Sequence, residues 1–271
     1  MINKEINYME KILYSIICFL FVASANAQDI NHQYDILLSK VQTKYVFRGE
    51  KASRAYNIEF AATKIKELII SPQETVSYNT MIGPRNYSNG FRKAPIIING
   101  ELEDGPGGGV CQVSGTLHAA AFLAGLEIIE STQHSRTSTY IEPGLDSTVV
   151  WPIKDLKIKN TYDFPIKVIV TTHRDMDIKR GILTIMIFGK EKIYDIEHQT
   201  IIYSKSKVTI IKKLLLDKPK TYRKVIEPGS PAMDILRIRR IYRYKTKILL
   251  LQEEKRIRYT SSKRIIELGI L

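Results

Sequence analysis

Hydrophobic positions recur at helical spacing in two stretches of the chain. Apolar and small residues follow one another at intervals of three and four between residues 58 and 69, which predicts a helix over about residues 54–68 with one buried face. A second apolar stripe is rich in alanine and stops at Gly125, a typical C-terminal stop. It predicts a helix over about residues 111–124.

Most other patterned segments predict strands. Short runs rich in Ile and Val at residues 126–130 and 166–172 are typical of sheet, and two further strands near residues 181–188 and 195–203 have short connections that favour antiparallel pairing. Beyond about residue 205 only strands are expected, among them a long two-faced ribbon. We therefore predict an α+β fold in which two main helices lie on a mostly antiparallel sheet, followed by a small all-β C-terminal module.

The N-terminus has the pattern of a secretory signal peptide. An apolar run over residues 12–22 leads to a small-x-small cleavage site at residues 25–27. The run is shorter than the roughly 20 residues that a membrane-spanning helix requires. We predict a signal peptide over residues 1–27 and an exported protein that is periplasmic, cell-wall associated or extracellular. The remaining chain divides into an α+β domain over residues 28–204 and a basic module over residues 205–271.

Positive charge is concentrated at the C-terminus. Residues 201–271 carry 19 Lys and Arg against 6 Asp and Glu, which accounts for the whole net charge of +13. One interpretation is a solvated strand face. The other is a surface that attracts peptidoglycan or an anionic envelope polymer, with possible peripheral membrane contact; nucleic acid is not expected. Under this second interpretation, charge reversal within residues 237–243 weakens binding.

Cysteine usage singles out one thiol. The chain has two cysteines, and cleavage of the signal peptide removes Cys18. Cys111 is then the one cysteine of the mature protein and has no internal partner for a disulfide. In an oxidising compartment a single thiol is either buried and inert or retained for its chemistry.

The segment "GPGGGVCQVSG" places Cys111 in the first turn of the second predicted helix. Free amides and the positive end of the helix dipole lower the pKa of a thiol at that position, and the same amides can hold an oxyanion during acyl transfer. We therefore assign Cys111 as a candidate nucleophile. The candidate substrate and oxyanion residues are Gly108, Gly109, Gln112 and Ser114.

A nucleophilic cysteine requires a base. His118 lies two helical turns after Cys111, about 10 Å along the axis, which is too far to take its proton. His134 follows the strand over residues 126–130, whose return beside the helix can bring it to the helix start, and Asp146 is the candidate that orients it. The order Cys, His, Asp is that of papain-like and transglutaminase-like enzymes.

Simpler interpretations exist for each feature. The glycines can form a flexible turn, His134 can cap a loop, and Asp146 can be a turn residue. A phosphate-binding loop is disfavoured because the Lys-Ser/Thr that should follow is missing. A zinc site from Cys111, His134 and Asp146 matches no standard ligand spacing. We expect no cofactor and no metal.

Three segments together resemble the VanW family. They are "GGGVCQVSGTLHAAAFLAGLEIIE", "HSRTSTYIEPGLDSTVVW" and "DLKIKNTYDFPIKV", preceded by "TVSYNTMIGPRNYSNGFRKAPIIINGEL". The resemblance runs from about residue 47 to residue 171 and includes Cys111, His134 and Asp146. It implies an association with bacterial envelopes and with glycopeptide (vancomycin) resistance clusters, and it implies no particular biochemical activity.

Two hypotheses about function follow. The first is a thiol-dependent acyltransferase or peptidase that acts on peptidoglycan peptides or another envelope amide or ester, with Cys111, His134 and Asp146 as the catalytic residues. The second is a non-catalytic accessory protein that binds the cell wall. Loss of Cys111 should abolish the first function and spare the second.

Overall fold

The computed structural model describes residues 33–98 and 101–271, so the predicted signal peptide and Cys18 lie outside the described residues. None of the helices within these ranges is long and apolar enough to cross a membrane. The helices are a 3-10 turn (Gly49–Lys51), α1 (Ala52–Lys64), α2 (Tyr78–Ile82) and α3 (Val110–Leu123). The strands are β1 (Ile36–Tyr45), β2 (Glu67–Ile70), β3 (Thr75–Ser77), β4 (Lys93–Ile98), β5 (Glu101–Pro106), β6 (Glu127–Glu130), β7 (Lys157–Lys159), β8 (Ile166–Asp175), β9 (Arg180–Gly189), β10 (Tyr194–Lys205), β11 (Ile210–Leu215), β12 (Arg223–Glu227), β13 (Met233–Arg243), β14 (Leu249–Tyr259) and β15 (Arg264–Gly269).

The main sheet has the strand order β1-β9-β8-β2, and all of its pairs are antiparallel. Helices α1 and α3 lie on this sheet and share its apolar core. Two polar contacts fix α3 on β1: Ser39 Oγ donates to the Ala120 carbonyl at 2.7 Å, and the hydroxyls of Thr43 and Thr116 lie 2.9 Å apart. The α+β architecture predicted from the sequence is confirmed.

Helix α3 is buried along nearly its whole length. A helix that is apolar or small on every face needs cover on every side. The main sheet covers one side, and β6 and β10 contact others. The predicted bounds of this helix, 111–124, differ from the observed ones by one residue at each end.

Helix α1 is shorter than predicted. It ends at Lys64, and β2 (Glu67–Ile70) takes up the residues expected to form its last turn. Leu68 and Ile69 therefore do not belong to the helical stripe. They pair with β8 through Val168 and Lys167. Pairing with a sheet edge outweighs helical spacing here because the apolar run after Lys64 suits a strand equally well.

Residues beyond 205 in the described chain form strands, in agreement with the prediction. Strands β13 and β14 form the predicted ribbon as an antiparallel hairpin. Strand β10 does not pair with β9; it joins β13 in the order β10-β13-β14. The predicted division between residues 204 and 205 falls at the end of β10, so this strand lies with the C-terminal sheet. The division into two modules stays a prediction.

Two of the C-terminal arginines point inward. Arg237 is 8% exposed and donates to the Gly144 carbonyl at 2.8 Å. Arg239 is 3% exposed and donates to the carbonyls of Phe122 and Leu126 at 3.3 and 2.9 Å. Both guanidinium groups stand over the Phe122 ring, near the negative end of the α3 dipole. The prediction of a solvated face is wrong for these two residues.

Candidate active site

Cys111 lies in the first turn of α3, as the sequence predicts. The helix begins after Gly109, whose backbone is left-handed with φ of 108°. The Cys111 thiol forms no disulfide and is partly exposed. Its Sγ lies 3.6 Å from the Val149 carbonyl oxygen, a weak hydrogen bond. The thiol is therefore held in a defined position.

The glycines before Cys111 are required by close packing. A Cβ at Gly108 would lie 2.5 Å from the Pro95 carbonyl oxygen, and one at Gly109 would lie 2.9 Å from that of Arg54. Either contact is closer than a side chain can tolerate. The loop is thus wedged between β4 and α1, and the interpretation as a flexible turn does not fit this packing.

His134 and Asp146 form a directly bonded pair. The main-chain N–H and the Nδ1 of His134 both contact Oδ2 of Asp146, at 2.7 and 2.8 Å. The Asp146 side chain is 1% exposed and that of His134 is 9% exposed. Because Asp146 occupies Nδ1, the imidazole keeps Nε2 for another partner. Asp146 therefore fixes both the orientation and the tautomer of the ring.

His134 also interacts with the Cys111 thiol. Burial on its own would raise the pKa of the Cys111 thiol, but a hydrogen bond and the charge of His134, together with the charge of Arg85, lower it below its ordinary value. Burial on its own would lower the pKa of His134, but hydrogen bonds with Asp146 and Cys111 raise it to about 9. Each group favours the charged form of the other, which is the electrostatic basis of a thiolate–imidazolium pair.

The second oxygen of Asp146 is held by Tyr259, at the end of β14. The Tyr259 hydroxyl donates to Oδ1 at 2.5 Å and accepts the N–H of Gly144 at 2.7 Å. The next residue, Thr260, donates its main-chain N–H to the carbonyl of Ser135 at 2.6 Å. The C-terminal hairpin therefore contacts both chain segments that carry the His–Asp pair. Nothing in the sequence points to Tyr259, because these contacts link residues far apart in the chain.

The Gln112 and Ser114 side chains hold the scaffold together. Gln112 Nε2 donates to Thr43 Oγ1 and the Lys44 carbonyl, both at 3.1 Å, and its Oε1 accepts Arg54 Nη2 at 2.9 Å. Ser114 Oγ donates to the Ser147 carbonyl at 2.7 Å. Both side chains are buried. No hydrogen of the Gln112 amide is left for an oxyanion.

The amides of Gly108 and Gly109 are placed differently. No acceptor within the described part of the chain takes either N–H. They lie two and three residues before Cys111, at the positive end of α3. Free main-chain donors at this position are the groups that can stabilise an oxyanion.

His118 lies apart from these groups. Its ring is buried, and its Nδ1 lies 2.8 Å from the Leu145 carbonyl oxygen. Burial and the charge of Arg237 lower the pKa of His118 to about 4, so the ring is neutral at physiological pH. It fills the space between α3 and the C-terminal sheet.

Cys111, His134 and Asp146 interact with one another in series. The Asp146 carboxylate is hydrogen-bonded to the imidazole Nδ1 at 2.8 Å, and the imidazole and the thiol shift each other's pKa through a hydrogen bond and charge. Over residues 33–98 and 101–271, no group of three His, Cys, Asp or Glu side chains is arranged to hold a metal ion. The order of contacts is that of a nucleophile, a base and a group that orients the base.

A family model described as VanW like protein matches residues 53–181. These residues are thus similar to the VanW family. The Uncharacterized protein YoaR of Bacillus subtilis (strain 168) is 42% identical over 120 residues, which are 44% of this chain and 40% of that protein. The Vancomycin B-type resistance protein VanW of Enterococcus faecalis (strain ATCC 700802 / V583) is 28% identical over 125 residues, which are 44% of this chain and 45% of that protein.

The chain thus spans less than half the length of the curated relatives it matches. Among solved structures, the crystal structure of HP0197-G5 aligns with 28% of this chain and 97% of its own, at 6% identity and a TM-score of 0.16, which supports no argument about fold. Cys111, His134 and Asp146 all lie within the residues that match the VanW model. Tyr259 lies outside it, on the C-terminal hairpin.

Proposed function

We propose that the chain is a thiol-dependent acyltransferase or peptidase of the cell envelope, with Cys111 as nucleophile, His134 as general base and acid, and Asp146 as the residue that orients His134. The observation that carries the proposal is the hydrogen bond between Asp146 and His134 Nδ1, together with the interaction by which His134 lowers the pKa of the Cys111 thiol and Cys111 raises that of His134. It supplies an ionised nucleophile and a proton carrier at one place.

The reaction proceeds in two acyl transfers. The Cys111 thiolate attacks the carbonyl carbon of an amide or ester, a C–S bond forms, and the π electron pair moves onto the carbonyl oxygen. When the oxyanion collapses, the amine or alcohol leaves with the proton of His134 Nε2, and a thioester remains on Cys111. Water or a second amine then gives its proton to neutral His134 and attacks the thioester, which releases the thiolate.

The transient oxyanion requires donors beside the thiol. The main-chain N–H groups of Gly108 and Gly109 are the candidates, because they have no acceptor in the described chain and precede Cys111 at the helix start. The Gln112 side chain is omitted from this role because its amide is bonded to β1. Ser114 has a positioning role, because its hydrogen bond to the Ser147 carbonyl holds α3 against the segment that carries Asp146.

We assign the substrate to the envelope, with peptidoglycan peptides as the leading class. The support is the secretory pattern of residues 1–27, which favours export, and the name of one relative, a vancomycin B-type resistance protein. No cofactor enters the scheme, since the three side chains supply the nucleophile and both proton transfers.

Complementation of a deletion strain tests the role of the thiol. Cys111→Ala and Cys111→Ser should fail to restore the cellular phenotype of the deletion. Cys18→Ser is the matched control, because it replaces the other cysteine of the chain in the predicted signal peptide. Full complementation by Cys111→Ala would overturn the proposal.

A chemical test follows the thioester directly. Purified protein is incubated with soluble muropeptides, and the reaction is quenched in acid. The mass of the intact protein is then measured by mass spectrometry. An acyl adduct that maps to Cys111 and is lost with hydroxylamine is expected. If native protein forms no such adduct with any muropeptide preparation, a peptidoglycan substrate is contradicted.

The exposed lysines of β11 favour a second candidate function, a non-catalytic accessory protein that binds anionic wall polymer. Lys212 and Lys213 face solvent, whereas Arg237 and Arg239 are buried and unavailable. Pull-down on purified peptidoglycan at low and high salt tests this candidate. Binding that survives Cys111→Ala and falls steeply with salt and with Lys212→Glu plus Lys213→Glu would support it over the enzyme.

A further inference from the structure

Arg85 carries the least satisfied polar group near Cys111. It lies on the loop between α2 and β4, and the residue is partly exposed. Its Nε, Nη1 and Nη2 are all shielded from solvent, yet none has a hydrogen-bond partner in the described chain. A guanidinium has five N–H donors and is always charged. Leaving such donors buried and unpaired costs considerable free energy, so these donors favour an anionic partner.

The surrounding residues hold Arg85 in place and offer it no acceptor. Its guanidinium stands 5.6 Å over the Tyr78 ring. Its Cβ and Cγ pack on Gly107, where an added Cβ would lie 2.7 Å from that of Arg85. Asp155 is the nearby carboxylate, but its oxygens accept from Ser77 Oγ and from main-chain amides.

Arg85 belongs to the environment of the thiol. Its positive charge lowers the pKa of Cys111. Arg54 is the other arginine whose charge interacts with Cys111, but its guanidinium is bonded to Gln112. Arg85 is therefore a cation of this site whose buried donors have no hydrogen-bond partner in the described chain. When Cys111 becomes acylated its negative charge disappears, and Arg85 then loses the anion that faces it.

We propose that Arg85 is a substrate-binding residue that receives a carboxylate of the acyl substrate beside Cys111. A carboxylate is planar and presents two oxygens, which match the fork of N–H groups on a guanidinium. The substrate class is then a peptide or related acyl compound with a free carboxylate near the scissile bond. This inference rests on the proposed function and narrows its substrate class.

Two alkylating reagents test the subsite without a known substrate. Iodoacetate and iodoacetamide both form a bond from the Cys111 thiolate to carbon and release iodide, but only iodoacetate carries a carboxylate. Because both react with the same thiolate, the ratio of their second-order rate constants cancels any change in thiol pKa. Rates are measured on the native protein by mass spectrometry of the peptide that contains Cys111.

Arg85→Gln should lower the iodoacetate to iodoacetamide ratio by about tenfold or more, as expected for the loss of hydrogen bonds to a charged group. Arg92→Gln is the matched control: it removes one positive charge from an exposed position over the Tyr56 ring and should leave the ratio unchanged. Arg85→Lys keeps the positive charge but lacks the paired N–H groups of a guanidinium, so it should give an intermediate ratio. It replaces Arg85→Gln in the test if that variant does not fold.

The possible outcomes separate the two proposals. An unchanged ratio in Arg85→Gln and in Arg85→Lys, or an equal fall in Arg92→Gln, would overturn the carboxylate subsite while the reactivity of Cys111 leaves the proposed function standing. A native Cys111 that reacts with neither reagent would overturn both.

Discussion

The hydroxyl of Tyr259 lies 2.5 Å from Oδ1 of Asp146, across 113 positions of sequence. Oδ2 of the same carboxylate is bonded to His134, so both oxygens of Asp146 are fixed. Tyr259 ends β14, beyond the residues that match the VanW model. The C-terminal hairpin thus supplies one contact of the candidate site, and Tyr259 is a positioning residue that acts on His134 through Asp146.

Tyr259→Phe should weaken both the fold and the thiol. The change leaves Oδ1 of Asp146 and the N–H of Gly144 without their partner, and we expect the free energy of unfolding in urea to fall by about 1–3 kcal/mol. The midpoint pH for alkylation of Cys111 should also rise, because a less fixed carboxylate stabilises protonated His134 less. Tyr203→Phe, at an exposed position, is the control for both readouts. A loss of stability with an unmoved midpoint would show a structural role alone.

Asp146→Asn should destabilise the protein near neutral pH, and this destabilisation should become smaller in acid. Burial opposes ionisation of Asp146, but bonds and charge from His134 and a bond from Tyr259 lower its pKa below the ordinary value of 3.8. A lowered pKa contributes stability that is fully present above the unfolded value and is lost as pH falls through the folded one. The difference in melting temperature between native protein and variant should therefore be larger at pH 6 than at pH 3.

The control for this pH dependence is Asp163→Asn, at an exposed position. It should change the melting temperature little at either pH. If the difference in melting temperature between native protein and Asp146→Asn stays constant or grows on acidification, the lowered pKa assigned to Asp146 is contradicted.

Arg239→Ala should destabilise the protein although it removes a charge from a strongly basic segment. Arg239 donates to the carbonyls of Phe122 and Leu126 and pairs with Glu253, so its loss removes a charged donor from both carbonyls and leaves that of Phe122 with the Gly125 N–H alone. We expect a loss of about 1–3 kcal/mol in urea unfolding. Arg243→Ala removes the same charge at an exposed position and should change stability by less than about 0.5 kcal/mol. Equal unfolding midpoints for the two variants would contradict this account.

Local pattern predicts well where one segment determines its own structure. The Ala-rich stripe and Gly125 locate α3 within one residue at each end, and the glycines before Cys111 place the thiol at its start. The proximity of His134 and Asp146 to that thiol agrees with the order of the three residues along the chain. In the same way, the alternation beyond residue 205 predicts a long two-faced ribbon, which the structure contains as the hairpin of β13 and β14.

Long-range pairing accounts for what the sequence does not predict. The end of α1 is displaced because β8 recruits residues 67–70. Arg237 and Arg239 look like surface charges, but carbonyls at the end of α3 and in the Gly144 turn accept their hydrogens. The amide of Gln112 looks available for substrate until β1 folds against it. Tyr259 and Arg85 gain significance only from neighbours distant in sequence.

The pH dependence of Cys111 alkylation by iodoacetamide tests the central claim, that His134 ionises this thiol. The rate should rise with a midpoint below the ordinary thiol pKa of about 9, and His134→Ala should move the midpoint up toward that value. His173→Ala, at an exposed position, should leave it in place. A native midpoint at or above 9, or one that His134→Ala does not move, would contradict the account.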